Sequence, residues 1–281
     1  MEFFKTCNGC GSAGLKDINS NNLQICNNCL LISRKFNDKL RFTSQETFKG
    51  NKEYEWELKN FKCRSEKNYY FFKQILNFTK FNKKDEILDF GSGYGSLIEI
   101  LQKKKYKVTG LEPSVKNFRI SKKRGHKVIN EFLKNNTFKS NRFKLIVSLF
   151  VFTYVYDIAD KFKIFRKILK KDGYLLIHVH QFKFSSSFRK KNKIVSEVVA
   201  NQFSNQSLKN LFNIHNFQII FFNAKIGGTT IIAKKLSKTK KYKKTGNIYF
   251  EIFYFKCLLY FISQIMFILL NIKVKIRNIF K

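Results

Sequence analysis

One proline, Pro113, serves a chain of 281 residues, and carboxylates are scarce as well, with 19 Asp and Glu against 55 Lys and Arg. The formal charge of +36 favours anionic partners such as nucleic acid or acidic lipid. Alanine is also sparse, while Lys, Asn, Ile and Phe crowd the chain, the profile of an AT-rich coding sequence. The basic residues are spread through the whole chain and form no single stripe, so charge alone does not identify an RNA partner. No apolar h-region follows Met1, so no secretory signal is expected and the expected compartment is the cytoplasm, where thiols stay reduced. The uncharged run of the tail, Cys257–Leu270, is shorter than the roughly 20 residues a bilayer span takes. What remains is 44% apolar and 16% aromatic, enough for one α/β domain, a small extra module and a tail.

Six cysteines occur, and four of them stand as Cys7-Asn-Gly-Cys10 and Cys26-Asn-Asn-Cys29. Two such knuckles supply four thiolates to one tetrahedral zinc ion. Gly9 and Gly11 suit the tight turns of the first knuckle, and Asn27 and Asn28, which tolerate left-handed backbone, those of the second. The stretch between them should form a short hairpin. Four ligands close the site, so the zinc is structural, and a ribbon this small folds around it. Cys63 and Cys257 are left over and read as ordinary buried small residues.

Beyond a polar, aromatic stretch that holds the only tryptophan, Trp56, "SEKNYYFFKQILNFTKF" carries helical spacing from Ser65 to Phe81. Strand and helix patterns then alternate. "EILDF" is followed by "SLIEILQKKK", "YKVTGLEP" by "SVKNFRISKKRG", then "HKVIN", and "FKLIVSLF" by "IADKFKIFRKILKKDG" and "GYLLIHVH". Alternation of this kind argues a parallel sheet covered on both faces. After a helical "SNQSLKNLFNIH", two strand-like runs meet at Gly227-Gly228, a hairpin at the sheet edge. The expected domains are a zinc ribbon over 1–32, a helical linker or cap over 33–82, the α/β domain over 83–236, and a basic linker with an apolar helix over 237–281.

The strand "ILDF" runs into Gly91-Ser92-Gly93-Tyr94-Gly95-Ser96, and glycines at that place let a ligand approach the backbone. Pyrophosphate cofactors favour G-x-G-x-x-G; here the order is G-x-G-x-G. That loop, behind Asp89, resembles motif I of the class I S-adenosylmethionine-dependent methyltransferases. Glu112 closes the next strand in "VTGLEPS", 21 residues after Gly91, where that family places the carboxylate that grips both ribose hydroxyls. Asn130 and Glu131, ending the third strand, match its adenine neighbourhood, and Leu149 ends its fourth strand. The resemblance covers about residues 83–236. It implies a Rossmann-like, doubly wound, seven-stranded and mostly parallel sheet with a reversed last strand. It also implies S-adenosylmethionine as cofactor, held by Asp89, Gly91, Ser92, Gly93, Gly95, Glu112, Asn130, Glu131 and Leu149.

Absences narrow the acceptor. Enzymes that methylate adenine amines or glutamine amides resemble one another in an Asn/Asp-Pro-Pro-aromatic motif after the fourth strand, where this chain reads "SLFVFTYVYD" with no proline. Pyrimidine C5 methylation needs a nucleophilic cysteine, and none lies between Cys63 and Cys257. Many small-molecule members carry a Glu-His pair where this chain has Thr153 and Tyr154. The remaining candidates for a base are His180, then Tyr154, with His178 deeper in its strand and Tyr156 and Asp157 nearby.

A four-cysteine ribbon ahead of such a core resembles enzymes of surface-polysaccharide and deoxysugar synthesis and, second, enzymes of ribosomal or transfer RNA. The tail favours the first. "KKLSKTKKYKK" leads into an apolar segment with basic flanks, suited to lying on an anionic membrane surface or, alternatively, to packing on the domain or on another subunit. The expected acceptor is therefore a small-molecule or lipid-linked sugar, methylated at the inner face of the cytoplasmic membrane. Nucleic acid is the second choice, and a non-catalytic scaffold of the same fold is the third.

Overall fold

The computed structural model describes residues 6–18, 23–35, 58–79, 81–180, 199–225, 228–237, 242, 244–254 and 257. Trp56, Gly227 and the tail beyond Cys257 lie outside the described residues, as does most of the expected linker.

Among the described residues the strands of the N-terminal ribbon are β1 (Leu15–Asp17), β2 (Leu23–Cys26) and β3 (Ile32–Arg34). Helix α1 (Phe61–Leu76) follows. The α/β part then runs β4 (Glu86–Phe90), α2 (Ser96–Lys103), β5 (Lys107–Leu111), α3 (Val115–Lys123), β6 (Val128–Ile129) and β7 (Phe143–Leu149). It continues with a 3-10 turn (Phe152–Tyr154), α4 (Ile158–Ile168), β8 (Leu169–Val179), β9 (Asn201–Gln202), α5 (Asn205–Ile214), β10 (Phe217–Lys225) and β11 (Gly228–Lys235).

Seven strands form one sheet in the order β10-β11-β8-β7-β4-β5-β6. The pairs β4 with β5, β5 with β6, β4 with β7 and β7 with β8 are parallel, and β11 runs antiparallel to both β8 and β10. The chain winds outward from β4 to β6, then returns to β7 on the other side of β4. That reversal opens a crevice at the carboxyl ends of β4 and β7, where such sheets bind ligands.

Period-two alternation sorts the core to two faces. Leu88, Phe90, Ile146, Leu175 and Ile177 pack with α4 and α5, while Ile87, Leu145, Val147, Tyr174 and Leu176 pack with α1 and α2. His178 continues the second set. Helix α5 begins with a capping box, in which the Ser204 hydroxyl and Ser207 satisfy each other's backbone N–H groups.

The ribbon is not a bead on a linker. Strand β3 pairs with β9, so its sheet has the order β1-β2-β3-β9, and Cys7, Cys26, Cys29 and Leu31 share one core cluster with Phe162, Leu211 and Phe212. The Ala159 N–H donates to the Asn8 carbonyl (2.8 Å), and the His215 ring meets the Gly9 carbonyl (2.6 Å) while stacking on Phe162. Small modules that cannot bury enough surface alone gain a core this way.

Four local expectations are corrected. Left-handed backbone in the second knuckle falls on Leu30 (φ 63°), not on Asn27 or Asn28; the side chain of Leu30 is buried, which offsets its strained backbone. Cys63 is exposed and Cys257 half-buried, because position 63 is out of phase with Phe61, Ser65, Phe72 and Ile75, the buried stripe of α1. Helix α1 starts before Ser65 and ends at Leu76, short of Phe81. Helix α4 stops at Ile168, and Lys170–Gly173 belong to β8, where Leu169 pairs with Phe143 before a register shift.

Candidate functional site

The loop after β4 is built on three left-handed glycines, at φ 75°, 56° and 82° for Gly91, Gly93 and Gly95. A Cβ on Gly91 would collide with the side chain of Val151, so the loop lies tight against the segment after β7. At Gly93 a Cβ would meet nothing within 4 Å, so the loop opens there onto free space. The Gly91 and Ser92 N–H groups donate to the Leu111 carbonyl (2.9 and 3.2 Å), which leashes the loop to the end of β5. Behind the loop, His126 bridges the Ser121 hydroxyl and the Glu99 carboxylate, tying α3 to α2 beneath Gly95.

Glu112 stands at the same crevice and is only 6% exposed. One of its carboxylate oxygens accepts from the Gly93 N–H (2.8 Å), the other from the Ser114 N–H (3.0 Å) and the Asn117 amide (3.3 Å). Asn130 donates to the carbonyls of Glu112 and Pro113 and so fixes the turn that carries the carboxylate. Asp89 is buried one residue before the end of β4. Burial, and then the charge of Glu112, push its carboxyl up to about 7. Two carboxyl groups buried side by side favour a positively charged ligand.

A cavity of about 240 Å³ opens between α1, the end of β8 and the β10–β11 pair. Phe71, Phe150 and Phe221 supply apolar wall, Lys67 and Lys225 supply ammonium groups, and His178 and His180 supply imidazoles; among the described residues no carboxylate lines it. His178 is locked in place, with its Nδ1 on the Thr230 hydroxyl (2.8 Å) and its ring against Phe71 and Phe150. Burial, aided by His180 and Lys67, lowers its pKa to about 3, so the ring is neutral at ordinary pH. His180 lies one step further out, its ring 4.6 Å from that of Phe150. Tyr154 sits in the 3-10 turn and is not among the lining residues.

A family model described as "Methyltransferase domain" matches residues 64–220, more than half of the chain. The chain belongs to this methyltransferase family. A Haloferax volcanii complex containing the Trm112 methyltransferase activator has the same fold at TM-score 0.52 and 12% identity, over 65% of this chain and 95% of that one. A Methanosarcina mazei S-adenosylmethionine-dependent methyltransferase is 23% identical over 58% of this chain and 97% of its own, with TM-score 0.49. No curated protein matches the sequence.

The methyltransferase cradle fits S-adenosylmethionine. The space in front of Gly93 is free, the Ser92 hydroxyl in the loop is buried without a hydrogen-bond partner, and the acid pair suits a cationic ligand. Among the sequence-predicted residues, Asp89, Gly91, Ser92, Gly93, Gly95, Glu112 and Asn130 gather at this crevice. Glu131 follows Asn130 directly, and Leu149 ends β7 two residues before Val151. Lys67, Phe71, Phe150, Asn223 and Thr230 were not legible as site residues. Nothing in the local sequence sets these residues apart.

The ribbon of this methyltransferase brings four sulfurs within 4.8 Å of one another, with Cys7 to Cys29 at 3.6 Å and Cys10 to Cys26 at 3.5 Å. A tetrahedral zinc with bonds of about 2.3 Å holds sulfurs roughly 3.8 Å apart, so these separations suit one ion. The Gly9, Asn28 and Cys29 N–H groups point at the Cys7 and Cys26 sulfurs, as thiolates require. Cys26 is held far below the usual thiol range by hydrogen bonds from Cys10, Cys29 and Cys7. Among the described residues no helix is long and apolar enough to cross a membrane.

Proposed function

We propose that this methyltransferase alkylates a hydroxyl of a sugar or glycan intermediate that carries phosphate, and that its ribbon holds a structural zinc ion. The observation that carries the acceptor reading is the cavity beside the end of β8. It is small, walled by aromatic rings, and carries Lys67, Lys225 and His180 with no acid among its described lining residues. Such a space suits one ring-sized group with an anionic substituent, whereas a single nucleic-acid strand calls for an open basic groove with stacking platforms.

S-adenosylmethionine, when bound, supplies an electrophilic methyl group on a sulfonium. Glu112 would hold the ribose hydroxyls through its carboxylate, which the Gly93 and Ser114 N–H groups and the Asn117 amide orient. Asp89 would ionise beside the cationic ligand, and Gly93 would let it reach the backbone. The protein's own contribution is orientation and exclusion of water. His180, at the rim of the cavity, would take the acceptor proton. His178, fixed on Thr230 and neutral, would position Phe71 and Phe150 and has no role in proton transfer. Cys7, Cys10, Cys26 and Cys29 would hold the zinc.

The test supplies methyl-labelled S-adenosylmethionine and purified protein to extracts of a strain lacking it, then fractionates the label. Label in nucleotide sugars or lipid-linked glycan, lost with His180→Gln, is the expected result. Label in RNA assigns the enzyme to the second choice. No label in any fraction, with cofactor binding absent, assigns the chain to the scaffold class.

A further inference from the structure

Residues 248–254 form a helix with two apolar faces. Ile248 and Ile252 pack on Ile18, Leu23, Ile25 and Ile32, the outer core of the ribbon. Tyr249, Phe250, Phe253 and Tyr254 point the other way and are 67%, 64%, 66% and 42% exposed. The spacing i, i+1, i+4, i+5 puts all four rings on one face.

The helix is held in this orientation. Thr245, just before it, exchanges backbone hydrogen bonds with the Asn210 amide of α5 (2.9 and 3.2 Å), and the Tyr242 hydroxyl donates to the Asn28 carbonyl (2.9 Å). Asn247 caps its first turn through the Tyr249 N–H (2.8 Å). The aromatic face is therefore a fixed surface on a metal-ribbon platform.

We infer that this face docks on an anionic lipid bilayer. Large aromatics gathered on one exposed face of a soluble surface mark an interaction site. Tyr and Phe with basic neighbours match the headgroup boundary of a membrane, where one side of each ring is apolar and the other wet. Basic groups are near: Lys16 reaches over the Tyr249 ring (4.6 Å), and in the sequence "KKLSKTKKYKK" ends three residues before the helix. The uncharged Cys257–Leu270 run continues the chain from its far end. A second copy of this chain would bring the same basic charge to the surface and meet repulsion there.

The test spins the full-length protein with vesicles of equal phosphatidylglycerol and phosphatidylcholine, and with phosphatidylcholine alone. The wild type sediments with the anionic vesicles only. Phe250→Ser with Phe253→Ser lowers the bound fraction about tenfold, with circular dichroism and melting unchanged. If the double variant sediments like the wild type, residues beyond Cys257 carry the binding alone and the assignment of this face falls. It falls also if the wild type stays in the supernatant. Light scattering covers the remaining outcome: a dimer without lipid that the double variant turns into a monomer would make a second copy the partner.

Discussion

The two halves of the sheet are built in different ways. The cofactor half, β4 through β6, makes its key contacts within one short stretch of chain: Gly93 with Glu112, Glu112 with Ser114 and Asn117, Asn130 with Pro113. The other half, β7, β8, β11 and β10, is assembled from distant pieces. His178 rests on Thr230, Asn201 on Phe152 and Val155, and the ribbon reaches this half through Asn8 on Asn201 and Gly9 on His215. The first half thus takes its carboxylate cradle from local contacts, with Val151 closing on Gly91 from outside, and the second is drawn together by the ribbon.

Removing the proposed zinc tests this division most severely. Structural zinc contributes on the order of 10 kcal/mol to the folding of a small ribbon. A strong chelator should release one equivalent of zinc and lower the melting temperature by more than ten degrees, read by calorimetry together with metal analysis. If the halves are independent as described, cofactor affinity near the new baseline should change little while methyl transfer is lost. Equal loss of both would join the halves into one unit.

Asp89 sharpens the cofactor side. Its carboxyl is raised to about 7 in the fold and returns to the ordinary range on unfolding. A raised carboxyl costs stability: the cost is absent below the unfolded value, grows as pH rises toward 7, and is fully present above it. Asp89→Asn should therefore stabilise the cofactor-free protein at pH 8, by up to the order of 4 kcal/mol, and converge with the wild type near pH 4. Cofactor affinity should run the opposite way, with wild-type binding weakening as pH falls below 7 and the Asn variant weak and flat. Urea melts and titration calorimetry across pH read both.

Asn201 probes the long-range side at smaller scale. Its amide donates to the Phe152 and Val155 carbonyls (3.1 and 2.6 Å) and its oxygen accepts from Asn8 (3.0 Å). Asn201→Ala strands those buried groups and should cost about 2–3 kcal/mol in urea unfolding. Cofactor affinity should stay within a factor of about three, since one such factor is well under 1 kcal/mol.

The same division explains what could be read from the sequence. The meeting of the glycine loop, Asp89 and Glu112 at one crevice was legible because it depends on spacing within one strand–loop–helix unit. The Cys7–Cys29 pattern was legible for the same reason. The pairing of β3 with β9, the seat of His178 on Thr230, and the cavity wall from Lys67 and Phe71 join residues that no local pattern links. Leu30, taking left-handed backbone in place of Asn27 or Asn28, was hidden because packing overrode propensity.

The most direct test of the account titrates S-adenosylhomocysteine into the wild type and Glu112→Ala by calorimetry at pH 8. The account predicts one site in the wild type and at least a tenfold loss in the variant, with melting of the cofactor-free protein changed by no more than a few degrees. Absence of binding to the wild type, or equal affinity in the variant, would contradict it.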